Sequence, residues 1–146
     1  MFGRKYFKIE KSYIINSLFK VHPRIINFDL LNKKGVEIQA RSVFLQGLAF
    51  LTPDELPPAL GKARPQLEDL HAKAAELGIP IEALCLNFVL ANRYIDKVII
   101  GVDSLAQLKD NVAGLAAQDK VGKMYEDLKR IRIEREEILL PYKWKK

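Results

Sequence analysis

Residues 97–111, KVIIGVDSLAQLKDN, lead a short apolar strand through one glycine into a capped helix, and that order defines a βα unit. Val98, Ile99 and Ile100 make the strand. Gly101 lets a ligand approach the backbone closely, and Ser104 with Gln107 reads as an S-x-x-Q capping box. Leu105, Leu108, Val112 and Leu115 follow at helical spacing, which predicts a helix face to bury. The free N–H groups and positive dipole end of such a helix attract an anion without any special side chain. Taken alone, the junction reads first as an ordinary strand-to-helix turn. A second segment alters that reading.

Working outward toward the amino terminus, Pro80 opens a helix in which Ile81, Leu84, Cys85, Phe88 and Val89 form one buried face. Before it, Pro65 opens another, with Leu67, Leu70, Ala74 and Leu77 as its apolar stripe and Gly78 as its stop. His71 lies between that stripe and the solvent side and reads as a surface histidine. Residues 51–61 hold Pro53, Pro57 and Pro58 and are expected to be irregular or a single turn. Residues 36–43, VEIQARSV, alternate apolar and polar as a strand with one face in a core. A short helix is expected over 25–33, stopped by Gly35, and a first strand over 13–15. On the carboxyl side, a charged helical stretch covers residues 124–132. The closing EEILLPYKWKK places Trp144 in a tail on the domain surface.

Strands separated by helices imply an α/β fold with a parallel sheet and right-handed crossovers. No repeat indicates a solenoid. The 146 residues, 49% hydrophobic, fit one globular domain spanning 1–146. No apolar run spans a bilayer and the start lacks a secretory leader, so a cytoplasmic protein is expected. One cysteine and two histidines exclude a disulfide scaffold and a zinc module. The net charge of +6 is uneven: +6 over residues 1–34, −3 over 35–116 and +3 over 117–146. A nucleic-acid module would concentrate positive charge on its recognition element, whereas here the excess lies at the two ends.

The second segment is RSVFLQGL, residues 41–48, at the end of the VEIQARSV strand. Its Ser42 hydroxyl and Gly47 are expected to face the same way as the Gly101 and Ser104 junction, since both loops follow parallel strands, and loops at such carboxyl ends are where α/β proteins bind ligands. In these two segments the sequence resembles the carboxyl-terminal part of the aldo/keto reductases. RSVFLQGL is similar to the family's S-P-L-x-x-G-L segment after the seventh strand, with Ser42, Gly47 and Leu48 in register. IIGVDSLAQLKDN, residues 99–111, is similar to the I-P-G-x-x-S-x-x-Q-L-x-E-N segment after the eighth. Residues 70–90 resemble the family's A-x-E-x-G-x-x-x-x-x-L-A-W-V-L helix pair, and residues 138–144 its I-L-P-x-x-W tail. Asn16, Phe19 and Arg24 with LLNKKGVEI resemble the sixth strand and helix. The match is weak over 1–34 and strong over 35–115, with a tail over 116–146.

The resemblance implies a partial (β/α)8 TIM barrel, its sixth to eighth strands, and an oxidoreductase using NADP(H) or NAD(H). It implies that Ser42, Phe44, Leu45 and Gly47 line the pyrophosphate side, while Gly101, Ser104, Gln107, Asp110 and Asn111 hold phosphate, ribose and adenine. Arg41 stands where many members carry an aromatic against the nicotinamide, Ile100 replaces a proline, and Asp110 replaces a glutamate. The Lys or Arg used for a 2′-phosphate is not evident after Ser104, so the choice between NADPH and NADH stays open. The family's catalytic Tyr, Lys, Asp and His come from the first half of the barrel. Tyr6, Tyr13 and His22 are not in that context, so no catalytic residue is assigned and the chain is expected to be a poor reductase alone. Its partners would be the dinucleotide and either a missing amino-terminal half or a second copy, with neither nucleic acid nor membrane. Two rivals remain: a stand-alone dinucleotide- or phosphate-binding module, and a regulatory scaffold docking through its basic ends and Trp144.

Overall fold

The sheet of the computed structural model is parallel and has three strands, and the described residues are 7–8, 27–131, 133, 135–139 and 143–144. In chain order the main elements are β1 (Phe7–Lys8), α1 (Phe28–Lys33), β2 (Ile38–Arg41), α2 (Arg64–Leu77), α3 (Ile81–Leu90) and β3 (Lys97–Ile99). Then come α4 (Leu105–Gly114), α5 (Gln118–Lys123), α6 (Tyr125–Leu128) and α7 (Glu136–Leu139). Strand order is β1-β2-β3, with Phe7 opposite Ile38 and Arg41 opposite Ile99. The first strand is thus found at Phe7–Lys8, and the expected one at 13–15 lies outside the described residues. The mixed helix and parallel sheet are compatible with α/β. No barrel closes among the described residues, since three strands leave the sheet open.

Local chemistry accounts for the boundaries. Asn27 caps α1, accepting the Leu30 N–H at 2.9 Å, and Gly35 takes the left-handed conformation after it. Strand β2 is shorter than the 36–43 alternation predicts, because Ser42 turns to φ 63° and leaves the extended region. The proline-rich stretch that follows folds as successive 3-10 turns, Pro53–Glu55 and Pro58–Ala63, rather than one turn. Helix α2 has Pro65 in its first turn and Gly78 left-handed at its end, as expected. Within the expected helical stretch at 124–132, the described residues 124–131 give the four-residue α6 with its flanking turns, preceded by α5.

Helix α3 is the centre of the molecule. It packs against α2, α4, α5, β3 and the 3-10 turn Leu45–Phe50. Of the expected buried face, Leu84, Cys85, Phe88 and Val89 are buried and Ile81 is half-buried, but Ala83, Leu86 and Asn87 are buried too. A helix enclosed by neighbours on most sides is apolar nearly all round. Phe88 stacks on Tyr125 with ring centroids 4.9 Å apart, tying α6 to this centre. Asn87 pays its way as a buried amide by donating to the Ala83 and Gly114 carbonyls, both at 2.8 Å. Leu67, Leu70 and Ala74 of α2 close the core on one side, and Val121, Leu128, Ile131, Ile133 and Ile138 close it on another. Trp144 lies half-buried on that core, its indole N–H donating to the Ile138 carbonyl at 2.9 Å.

Helix α4 departs from expectation in its orientation. Leu105, Leu108, Val112 and Leu115 face outward, exposed at 67, 42, 59 and 40%. What packs is the flank carrying Asn111 and Gly114: Asn111 is buried, and a Cβ on Gly114 would stand 3.0 Å from the Ala83 Cβ. Small groups let α4 approach α3 closely, and the large apolar stripe is left outside.

Candidate functional site

Pairing between β2 and β3 sets the geometry of the two loops. Asp96 holds the register: its carboxylate accepts the Ile38 N–H at 2.7 Å, and its own N–H donates to the Ile38 carbonyl at 2.9 Å. Nearby, Glu37 accepts from Lys97 Nζ at 2.9 Å and from Gln39 Nε2 at 2.6 Å. With Arg41 opposite Ile99, the two chains leave the sheet side by side and in the same direction, about 4.8 Å apart by strand spacing. The 42–47 loop and the 100–104 loop therefore meet at one edge.

The first loop is built under backbone strain. Ser42, Leu45 and Gln46 have φ of 63, 45 and 55°, and they are the non-glycine residues with positive φ among those described. Each such conformation costs on the order of 1–3 kcal/mol, and residues held this way cluster at ligand clamps. Gly47, at φ 89°, carries the same turn without a Cβ. The turn ties itself together through Leu45 N–H to the Ser42 carbonyl at 3.1 Å and Gly47 N–H to the Phe44 carbonyl at 3.0 Å. Leu45 sends its side chain into the core, so only its backbone belongs to the loop surface. Phe44 is half-buried against Phe50, ring centroids 5.0 Å apart.

The second loop presents a helix start. Ser104 Oγ accepts the Gln107 N–H at 3.1 Å, as a cap should. The returning arm reaches one residue further than a capping box does: Gln107 Oε1 accepts the Asp103 N–H at 2.7 Å. Gly101, Ser104, Gln107 and Asp110 are exposed, whereas Asn111 is buried under the helix. A Cβ at Gly101 would meet nothing within 4 Å, and its φ is not left-handed. Neither packing nor conformation within the described chain demands glycine there.

Arg41 adds a feature the motif reading underweighted. Its Nε is buried without a hydrogen-bond partner among the described residues, at the last position of β2. That N–H, next to the strained loop, would have to be uncovered to donate to an anionic ligand such as a pyrophosphate. Sequence could have marked it by position, immediately before Ser42. The strain at Leu45 and Gln46 had no signal beyond the neighbouring Gly47.

Cys85 is fully buried and its thiol is pushed up to about 12, chiefly by burial and then by Glu82. His71 Nε2 lies 3.1 Å from the Leu51 carbonyl. Among the described residues no group of three or more metal-ligating side chains assembles, and no helix is long and apolar enough to cross a membrane. A depression lined by Ala91, Gln118, Asp119, Gly122 and Lys123 contains none of the motif residues.

No protein-family model and no solved structure matches the chain. Over 117 residues, 77% of its length, it is 32% identical to the L-galactose dehydrogenase of Arabidopsis thaliana. Those residues correspond to 34% of that protein, so the chain spans about a third of the relative's length. The similarity is to an oxidoreductase.

Proposed function

We propose that this chain is the carboxyl-terminal, nicotinamide-cofactor-binding part of an aldo/keto reductase-like oxidoreductase. The observation that carries the reading is the convergence, at one edge of a parallel sheet, of the strained 42–47 loop and the capped start of α4. Motif resemblance at both loops and the similarity to a plant dehydrogenase support it.

In this reading Ser42, Gly47 and the backbone at Phe44 and Leu45 flank the pyrophosphate, with Arg41 Nε as a further donor once uncovered. Gly101 allows the adenosine side to lie against the backbone, and Ser104, Gln107 and Asp110 border it from the first turns of α4. Asn111, buried here, takes part only if the helix start shifts to uncover it. The dinucleotide would supply hydride to a carbonyl. The chain's own contribution is to hold and orient that donor, since carbonyl reduction also needs an acid at the carbonyl oxygen. The nine motif residues include no Tyr, Lys or His to fill that role.

The test is a fluorescence titration of the purified chain with NADPH and NADH, beside Gly101→Val. That side chain enters open space, so the fold should be unaffected while close approach is blocked. Saturable binding weakened at least about tenfold by the substitution, with an unchanged circular dichroism spectrum, is expected. A linear, unsaturable signal, or binding indifferent to Gly101→Val, contradicts the proposal.

A further inference from the structure

The outward stripe of α4 is unusual for a helix of this length. Leu105, Leu108, Val112 and Leu115 stand 3, 4 and 3 residues apart, the a and d spacing of a coiled-coil seam. Val102, three residues before Leu105, adds to the exposed apolar surface at the start of the helix. From their exposures the five side chains present on the order of 400 Å² of apolar surface, within the range of the largest patch on ordinary monomers. That area approaches the apolar share of one side of a standard interface, roughly 57% of about 800 Å².

We infer that this face is a self-association surface, covered by the same face of a second copy of the chain. The stripe is its own complement. Because the 3-4-3 spacing reads the same in both directions, a two-fold axis at its middle sets Leu105 against the partner copy's Leu115. The same axis sets Leu108 against the partner copy's Val112. Those are the mixed a-d layers of an antiparallel helix pair, and a two-fold contact requires such self-complementarity. Charge permits the approach as well. The whole chain carries +6, yet residues 97–116 hold only Lys97, Asp103, Lys109 and Asp110 and are neutral. Two copies can meet here with little like-charge repulsion, which neither basic end allows. Asn111, three residues from Leu108 and four from Leu115, borders the face but is itself buried, and the sedimentation test below uses no cofactor, so its failure is distinguishable from failure of the cofactor reading.

Sedimentation velocity of the full chain from about 1 to about 200 µM, with Val112→Glu beside it, is the primary test. A dimer with micromolar dissociation is expected, weakened at least about tenfold by the substitution while the circular dichroism spectrum stays the same. A second measurement guards against misfolding of that variant. Leu108→Cys and Val112→Cys proteins should form a disulfide-linked dimer when mixed under mild oxidation, faster than either alone, because Cys85 is buried and does not compete. A chain monomeric throughout the range overturns the inference and assigns the face to some other covering partner or segment. A dimer that survives Val112→Glu, or cross-linking no faster in the mixture, also overturns it.

Discussion

Cys85 shows how far an environment can change the meaning of a residue. It sits inside α3 with its side chain wholly enclosed, and burial drives its thiol from an ordinary 9.0 to about 12. A thiol this hard to ionise is neither nucleophile nor metal ligand at neutral pH. Linkage then gives a sign. Because the folded value lies above the unfolded one, the thiol's full contribution to stability is present below about pH 9. It is lost as pH rises from about 9 towards about 12, where the unfolded chain alone ionises. Tyr125, raised chiefly by burial, acts in the same direction above its ordinary value of 10.0. Urea unfolding at about pH 8 and about pH 10.5 should show a smaller alkaline loss of stability in Cys85→Ala than in the parent. Equal losses would show that the thiol is not insulated.

At the scale of elements, α4 is positioned by its smallest residues. Gly114 lies against Ala83 so closely that an added Cβ would stand 3.0 Å from the Ala83 Cβ and 3.4 Å from its Cα. Asn87 fixes the same contact through the Gly114 carbonyl. Gly114→Ala should therefore destabilise the protein by about 1–3 kcal/mol, the usual range for overpacking, despite alanine's better helix propensity. Gly61→Ala, where a Cβ meets nothing, is the control and should change stability by less than about 1 kcal/mol. Chemical denaturation of both variants checks the pair, and equal effects would contradict close packing at the α3–α4 contact. The same contact explains a limit of periodicity. Spacing revealed that α4 has one apolar face, but it said nothing about which face meets α3. The choice was made by Gly114, Asn111 and Ala83, residues whose small size and polarity carry no hydrophobic signal. Helices α2 and α3 were legible because Pro65 and Gly78 bound the first, Pro80 opens the second, and their apolar residues do face the core. Strand β2 was legible in position and overlong in extent, because the alternation continues through Ser42 while the backbone does not.

On the scale of the whole molecule, three parallel strands and a central helix bring two loops to one edge, and the open sheet and bare α4 stripe mark surfaces that other polypeptide can cover. Of the candidate site, the motif residues could be read in the chain, and the parallel β2–β3 pairing that juxtaposes them followed from the βαβ order. What could not be read is backbone geometry: the left-handed Ser42, Leu45 and Gln46, the buried Arg41 Nε, and the Asp96 bonds that hold the register. The Asp96 bonds depend on a contact between residues distant in sequence, the 58-residue separation of Ile38 and Asp96. The central claim is that both loops engage one dinucleotide, and amide-resolved NMR titration with NADP⁺ tests it most directly. The account predicts saturable shifts confined to residues 41–47 and 101–107, following a single binding curve. Shifts at one loop alone, shifts scattered over the basic ends, or none at millimolar ligand would contradict it.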